Sequence, residues 1–254
     1  MGEALFWPAL LAYGEAAFAY ASARTSRLAT WGVRTGWLAQ TALLVVQAER
    51  ARGFPWSSWA GSLNLFVWLV VGAYLIWGCR PRFRLLGLAV MPLAAALFLV
   101  ARIGGGTGTG TKSGYGNLFL ILHVGLVLAA FAGFTLAAAL AGLYLWEEGR
   151  LKRRAADILR LRLPPLASLE RLTWRTIAVS LPLLTLGLAA GIIRQRERGG
   201  SIDALEAVTL VTWLVYGSFF ALRPTGRRAA YLALGGFVLV IVARLALAGS
   251  HFGP

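Results

Sequence analysis

The chain has 254 residues, of which 58% are hydrophobic and only 14% charged, with ten tryptophans and a mean hydropathy of +0.69. So few charges cannot cover the surface of a water-soluble domain of this size, and apolar runs of about 17 or more residues recur between short arginine- or glycine-rich links. An ordinary soluble enzyme is thereby excluded, while the net charge of +15 leaves a nucleic-acid partner to be tested against where the basic residues fall.

In chain order, the apolar pattern predicts an all-α polytopic membrane helix bundle. It consists of about eight transmembrane helices, near 4–21, 28–48, 63–79, 85–102, 117–146, 174–193, 205–222 and 228–249, in a single membrane domain over residues 1–254. The links after the second, fourth and sixth helices hold seven Lys/Arg residues; those after the first, third, fifth and seventh hold sixteen. Arg34 and Arg244 make up the rest and fall within helices. Because cytoplasmic links carry the Lys/Arg excess, the odd-numbered links are expected in the cytoplasm and both termini on the outer side of the plasma (inner) membrane. Most of the charge is then accounted for by topology, without nucleic acid.

The first helix follows Glu3 rather than a basic segment and precedes Arg24 and Arg27, so it reads as a retained helix and not as a cleaved signal. Its Glu15 and the Arg34 of the second helix are each about six residues from the turn between them. That is about 9 Å into the membrane at 1.5 Å per residue, and an ion pair between them is expected ahead of a role in transport. The single cysteine, Cys79, excludes an internal disulfide or a CxxC pair. The run Gly104-Gly-Gly-Thr-Gly-Thr-Gly-Thr-Lys-Ser is not a phosphate loop, because that motif needs Gly directly before Lys-Ser/Thr and residue 111 is Thr. It reads as a flexible external linker. The longest link, 147–173, is basic and predicted to lie in the cytoplasm, either on the anionic inner leaflet of the bilayer or against a cytoplasmic partner.

The candidate chemistry rests on two histidines. His123 lies near the outer end of the fifth helix and His251 directly follows the eighth, so both are expected at the outer face. Neutral imidazoles are good axial ligands for haem iron. Two histidines also share a face by chance about half the time, so topology leaves ligation and coincidence both open. Arg244, seven residues before His251 and on nearly the same helix face, could answer a haem propionate or snorkel to the interface. Asp203 precedes the seventh helix and could be no more than its N-cap. No nucleophile–base pair, HExxH motif or cysteine cluster appears, so binding is favoured over turnover.

The stretch Leu163-Pro-Pro-Leu-Ala-Ser-Leu-Glu-Arg-Leu-Thr-Trp-Arg-Thr-Ile-Ala, continuing through Leu181-Pro-Leu-Leu-Thr-Leu-Gly-Leu-Ala-Ala-Gly191, resembles the cytochrome c assembly family of CcsA, CcmC and HemX-like membrane proteins. So do His123 with Leu128-Ala-Ala-Phe-Ala-Gly-Phe, Asp203-Ala-Leu-Glu206, Thr212-Trp-Leu-Val-Tyr216 and Gly226-Arg-Arg-Ala-Ala-Tyr231. The resemblance covers about residues 54–252. It implies that haem is held at the outer face between His123 and His251 for delivery to apocytochrome c, alone or with other assembly proteins. The family's tryptophan-rich segment before the seventh helix has no counterpart here, since Ile202 precedes Asp203 and the link lacks aromatic residues. Trp56 and Trp59, in the other external link, are the candidate aromatic surface. The alternative is a HemX-like regulator or scaffold acting through the basic 147–173 link on a cytoplasmic enzyme of tetrapyrrole synthesis.

Overall fold

A computed structural model describes residues 2–22, 26–50, 56, 58–77, 84–108, 118–153, 164–198 and 204–242. Eight helices follow one another: α1 Gly2–Ala21, α2 Ser26–Arg50, α3 Trp59–Trp77, α4 Arg84–Ile103, α5 Leu118–Lys152, α6 Leu166–Arg198, α7 Ala204–Leu222 and α8 Gly226–Ile241. Among the described residues, α3 to α7 each contain a stretch long and apolar enough to cross a membrane, such as Leu86–Ile103 in α4 and Ile121–Lys152 in α5. The chain is therefore an integral membrane protein. The remaining helices, α1, α2 and α8, are not in that class, and the polar residues in α1 and α2 explain part of the difference: Glu15, Arg34, Gln40 and Gln47 interrupt their apolar runs.

The largest departures of helix ends from the sequence pattern flank one link. Where a link is expected over 147–173, α5 continues to Lys152 and α6 already starts at Leu166. Hydropathy marks where the hydrocarbon ends, whereas the helix needs only a satisfied backbone. Glu148 and Lys152, four residues apart and 2.7 Å from each other, extend α5 beyond the apolar run.

The pairs α1/α2, α2/α3, α3/α4, α5/α6 and α6/α7 run antiparallel, and the bundle has two halves. In the first, a Cβ on Gly32 would sit 3.1 Å from the Ala12 carbonyl and one on Gly36 2.7 Å from the Tyr13 ring, so α1 and α2 are in close contact. Trp37 of α2 stacks on Trp68 of α3 at 5.1 Å, and α4 closes the group through Phe98 against Phe6 and Tyr13 of α1. In the second half, Gly133 of α5 admits the Ser180 side chain of α6, and the Tyr216 ring of α7 stacks on Phe134 of α5 at 3.7 Å. The Tyr216 hydroxyl donates to the Ala233 carbonyl of α8 at 3.0 Å. Helix α5 joins the halves, since α3, α4, α6 and α8 all pack on it.

The expected ion pair between Glu15 and Arg34 is not formed. Both side chains are exposed, the Arg34 guanidinium lies 5.6 Å from the Trp31 ring centroid, and no ion pair joins Glu15 to it among the described residues. The two are nearly level along the antiparallel pair but stand on different flanks.

The polar groups of the first half are satisfied in another way. The Tyr13 hydroxyl donates to Gln40 Oε1 at 2.7 Å, and Gln40 Nε2 donates to Asn64 Oδ1 at 2.9 Å. Asn64 Nδ2 donates to Gln47 Oε1 at 3.1 Å, and Gln47 Nε2 reaches the carbonyls of Gly106 and Gly108 at 3.1 and 2.6 Å. Gln40, Gln47 and Asn64 are fully buried. The network ties α1, α2 and α3 to the turn that follows α4. Glycine is required in that turn, because a Cβ on Gly106 would overlap the Ala60 carbonyl. Replacing Asn64 by Leu leaves Gln47 Oε1 without its donor and Gln40 Nε2 with only the residue 64 backbone carbonyl at 3.1 Å, and should lower unfolding stability by about 1–2 kcal/mol. Unfolding titrations with denaturing detergent check this, and an unchanged midpoint would mean the network does not hold the half together.

Candidate functional site

His123 stands on the sixth residue of α5, in its first turns, and is half-buried. Its Nδ1 lies 2.6 Å from the Gly187 carbonyl of α6. A carbonyl can only accept, so Nδ1 carries the proton and donates. In the neutral ring the lone pair is then on Nε2. A backbone carbonyl that fixes one ring nitrogen in this way is the usual means of orienting a metal-binding imidazole and raising its basicity.

The position depends on two glycines of α6. A Cβ on Gly191 would sit 2.7 Å from His123 Cε1 and 2.8 Å from Nδ1, so the imidazole occupies the space a side chain would need. A Cβ on Gly187 would meet Val127 Cγ2 at 2.8 Å and the Val127 backbone nitrogen at 3.1 Å. One turn apart on the same face, Gly187 and Gly191 let α6 approach α5 closely enough for the ring to reach a backbone carbonyl.

Of the other sequence candidates, Trp59 begins α3, its ring lying 3.1 Å from where a Gly104 Cβ would be, and Trp56 is a half-buried turn residue just before it. Both stand where α3 begins, beside the turn that follows α4. Asp203, Arg244 and His251 lie outside the described residues. The residues that sequence reasoning passed over are Gly187 and Gly191. The signal was in Leu-Gly-Leu-Ala-Ala-Gly, small residues spaced by four in an apolar helix. Among the described residues there is no group of three or more His, Cys, Asp or Glu that could hold a metal ion.

An integral membrane helix bundle with an imidazole locked in one tautomer near one end is a candidate ligand-holding protein of the bilayer. The chain belongs to the cytochrome c assembly protein family, whose model matches residues 56–250. The match starts just ahead of α3 and includes His123, Gly187 and Gly191; His251 is the first residue beyond it. Among curated relatives, the cytochrome c biogenesis protein CcsA of Gloeothece citriformis is 28% identical over 275 aligned positions, 86% of this chain and 83% of that one. CcsA of Picosynechococcus is 27% identical, covering 95% of this chain and 90% of its own. CcsA of Guillardia theta is 33% identical over a shorter segment, half of each chain. No solved structure matches.

Gly191→Ala should force the His123 ring or α6 to move and cost about 1–3 kcal/mol. Gly217→Ala, where a Cβ would meet nothing within 4 Å, should be neutral or stabilising by up to about 1 kcal/mol. Detergent-unfolding midpoints of the two variants check the contrast, and equal midpoints would contradict the close approach at Gly191.

Proposed function

We propose that this chain acts in cytochrome c biogenesis by holding haem, as cargo, near the outer face of the membrane between His123 and His251. Membership of the cytochrome c assembly protein family supports the biogenesis role, together with the long alignments to proteins named CcsA. The observation that carries the haem reading is the His123 geometry: its Nδ1 proton is committed to Gly187, and the Nε2 lone pair is the form iron requires. His123, the one proposed iron ligand among the described residues, fits the group.

In this reading all eight helices cross the plasma membrane, with both termini outside. Helix α8 runs antiparallel to α5, beginning beside Tyr144, where a Gly226 Cβ would lie 3.4 Å from the tyrosine hydroxyl. It therefore heads toward the end that carries His123, and residues 242–251 continue the chain to His251. Arg244 answers a propionate carboxylate, Asp203 borders the site ahead of α7, and Trp56 and Trp59 supply aromatic surface beside it. Haem chemistry is left to the iron. The side chains bind, orient and release, and the recipients are apocytochrome c or other assembly proteins.

A regulator acting through the basic 147–173 segment is not favoured. The matched relatives are biogenesis proteins, and helix takes up that segment as far as Lys152 and again from Leu166.

The test is the absorption spectrum of detergent-purified protein, oxidised and dithionite-reduced, beside a His123→Ala, His251→Ala double variant. A Soret band with sharp reduced α and β bands, lost in the double variant, is the expected result. A colourless wild type that also fails to take up added haem would overturn the proposal.

A further inference from the structure

Glu15 and Arg34 have no part in the His123 site, yet both are exposed on helices read here as crossing the membrane. Their depths agree. Gly32 packs on Ala12 and Ala16, and Gly36 on Ala12 and Tyr13, which sets the antiparallel register of α1 and α2. Arg34 is therefore level with residues 13–14 of α1, within about 3 Å of the depth of Glu15.

Their directions differ. Trp37 and Thr41 face α3, where Trp37 Nε1 donates to the Trp68 carbonyl and Thr41 accepts from Trp68. Arg34 is three and seven residues before them and so stands on the α3 flank of the exposed face of α2. Glu15, three residues after Ala12 and four before the buried Ala19, borders the α2 side of the exposed face of α1. Between the two charges runs the exposed ridge of α2, with Trp31, Thr35 and Leu38. The hairpin thus presents a carboxylate on one flank and a guanidinium on the other, at one depth, with a ridge that keeps them apart.

We infer that this face is the interface of a homodimer with its two-fold axis along the membrane normal, passing over Thr35, in which Glu15 of each protomer pairs with Arg34 of the other. Such an axis preserves depth and exchanges left for right, so each carboxylate flank meets a guanidinium flank and the pair forms twice. Charges within the hydrocarbon are paired or sheltered from lipid, and a second copy supplies both missing partners at the required depth. The hairpin also lies outside the 56–250 family match, so the interface is separate from the shared site. The inference rests on α1 and α2 crossing the membrane.

The test uses the full chain in native membranes with its one cysteine removed (Cys79→Ser) and Thr35→Cys introduced for oxidative cross-linking. A covalent dimer of twice the chain mass is expected, with Leu186→Cys on the exposed face of α6 staying monomeric. Glu15→Arg or Arg34→Glu should each reduce the dimer roughly tenfold, and the two together should restore it. Cross-linking no better than at Leu186→Cys, yields indifferent to charge reversal, or an adduct with another protein would overturn the homodimer while leaving the topology intact. Labelling of Thr35→Cys by a membrane-impermeant maleimide would instead put α2 in water and overturn the topology, and the dimer with it.

Discussion

The hydrogen bond from His123 Nδ1 to the Gly187 carbonyl exists only because α5 and α6 come unusually close, and that approach depends on glycines at three levels of the interface. Gly133 admits Ser180, Gly187 admits Val127, and Gly191 leaves room for the imidazole itself. In a bilayer the lipid is as apolar as the helix surfaces, so association comes from close packing and polar contacts rather than from expulsion of water. Small residues at this seam therefore do two things together: they hold α5 to α6, and they choose which imidazole nitrogen keeps its lone pair. Because α3, α4 and α8 also pack on α5, the position of His123 is tied to both halves of the bundle.

The first half is held differently. Its helices are joined by a chain of buried amides that ends on the carbonyls of Gly106 and Gly108, and Trp59 packs against Gly104 of the same turn. An amide in apolar surroundings is costly unless both its donor and its acceptor are used. Here each glutamine and asparagine bonds to the next, and the spare donors grip the turn. One half of the bundle is thus held by glycines and the other by amides.

Much of this was legible in the sequence. The eight helices and their order follow from apolar runs, and His123 stood out as one of two histidines in an otherwise apolar chain. Helix ends were less legible: charges such as Glu148 and Lys152 mark the edge of the hydrocarbon, while α5 runs on through their ion pair. Counting from the turn put Glu15 and Arg34 at one level, as the α1–α2 register does, but level does not give direction around a helix, and the two lie on different flanks. Gln40 and Gln47, seven residues apart on one face, and Asn64 went unread as a polar seam, because nothing in the sequence pairs α2 with α3 at that level. Gly187 and Gly191 were harder, since a glycine in an apolar helix says nothing until the neighbour that fills its space is known. Asp203, Arg244 and His251 lie outside the described residues, so their part in the site is proposed on sequence and family.

The central claim is that His123 offers Nε2 to haem iron while Gly187 holds Nδ1. The direct measurement is a His123→Gly variant loaded with haem, its spectrum followed as free imidazole is added. The account predicts that the variant lacks the low-spin spectrum of the wild type and regains it as imidazole enters the vacated space. A His123→Gly variant that keeps the wild-type spectrum without imidazole would show that the iron takes its ligand elsewhere, and would contradict the account.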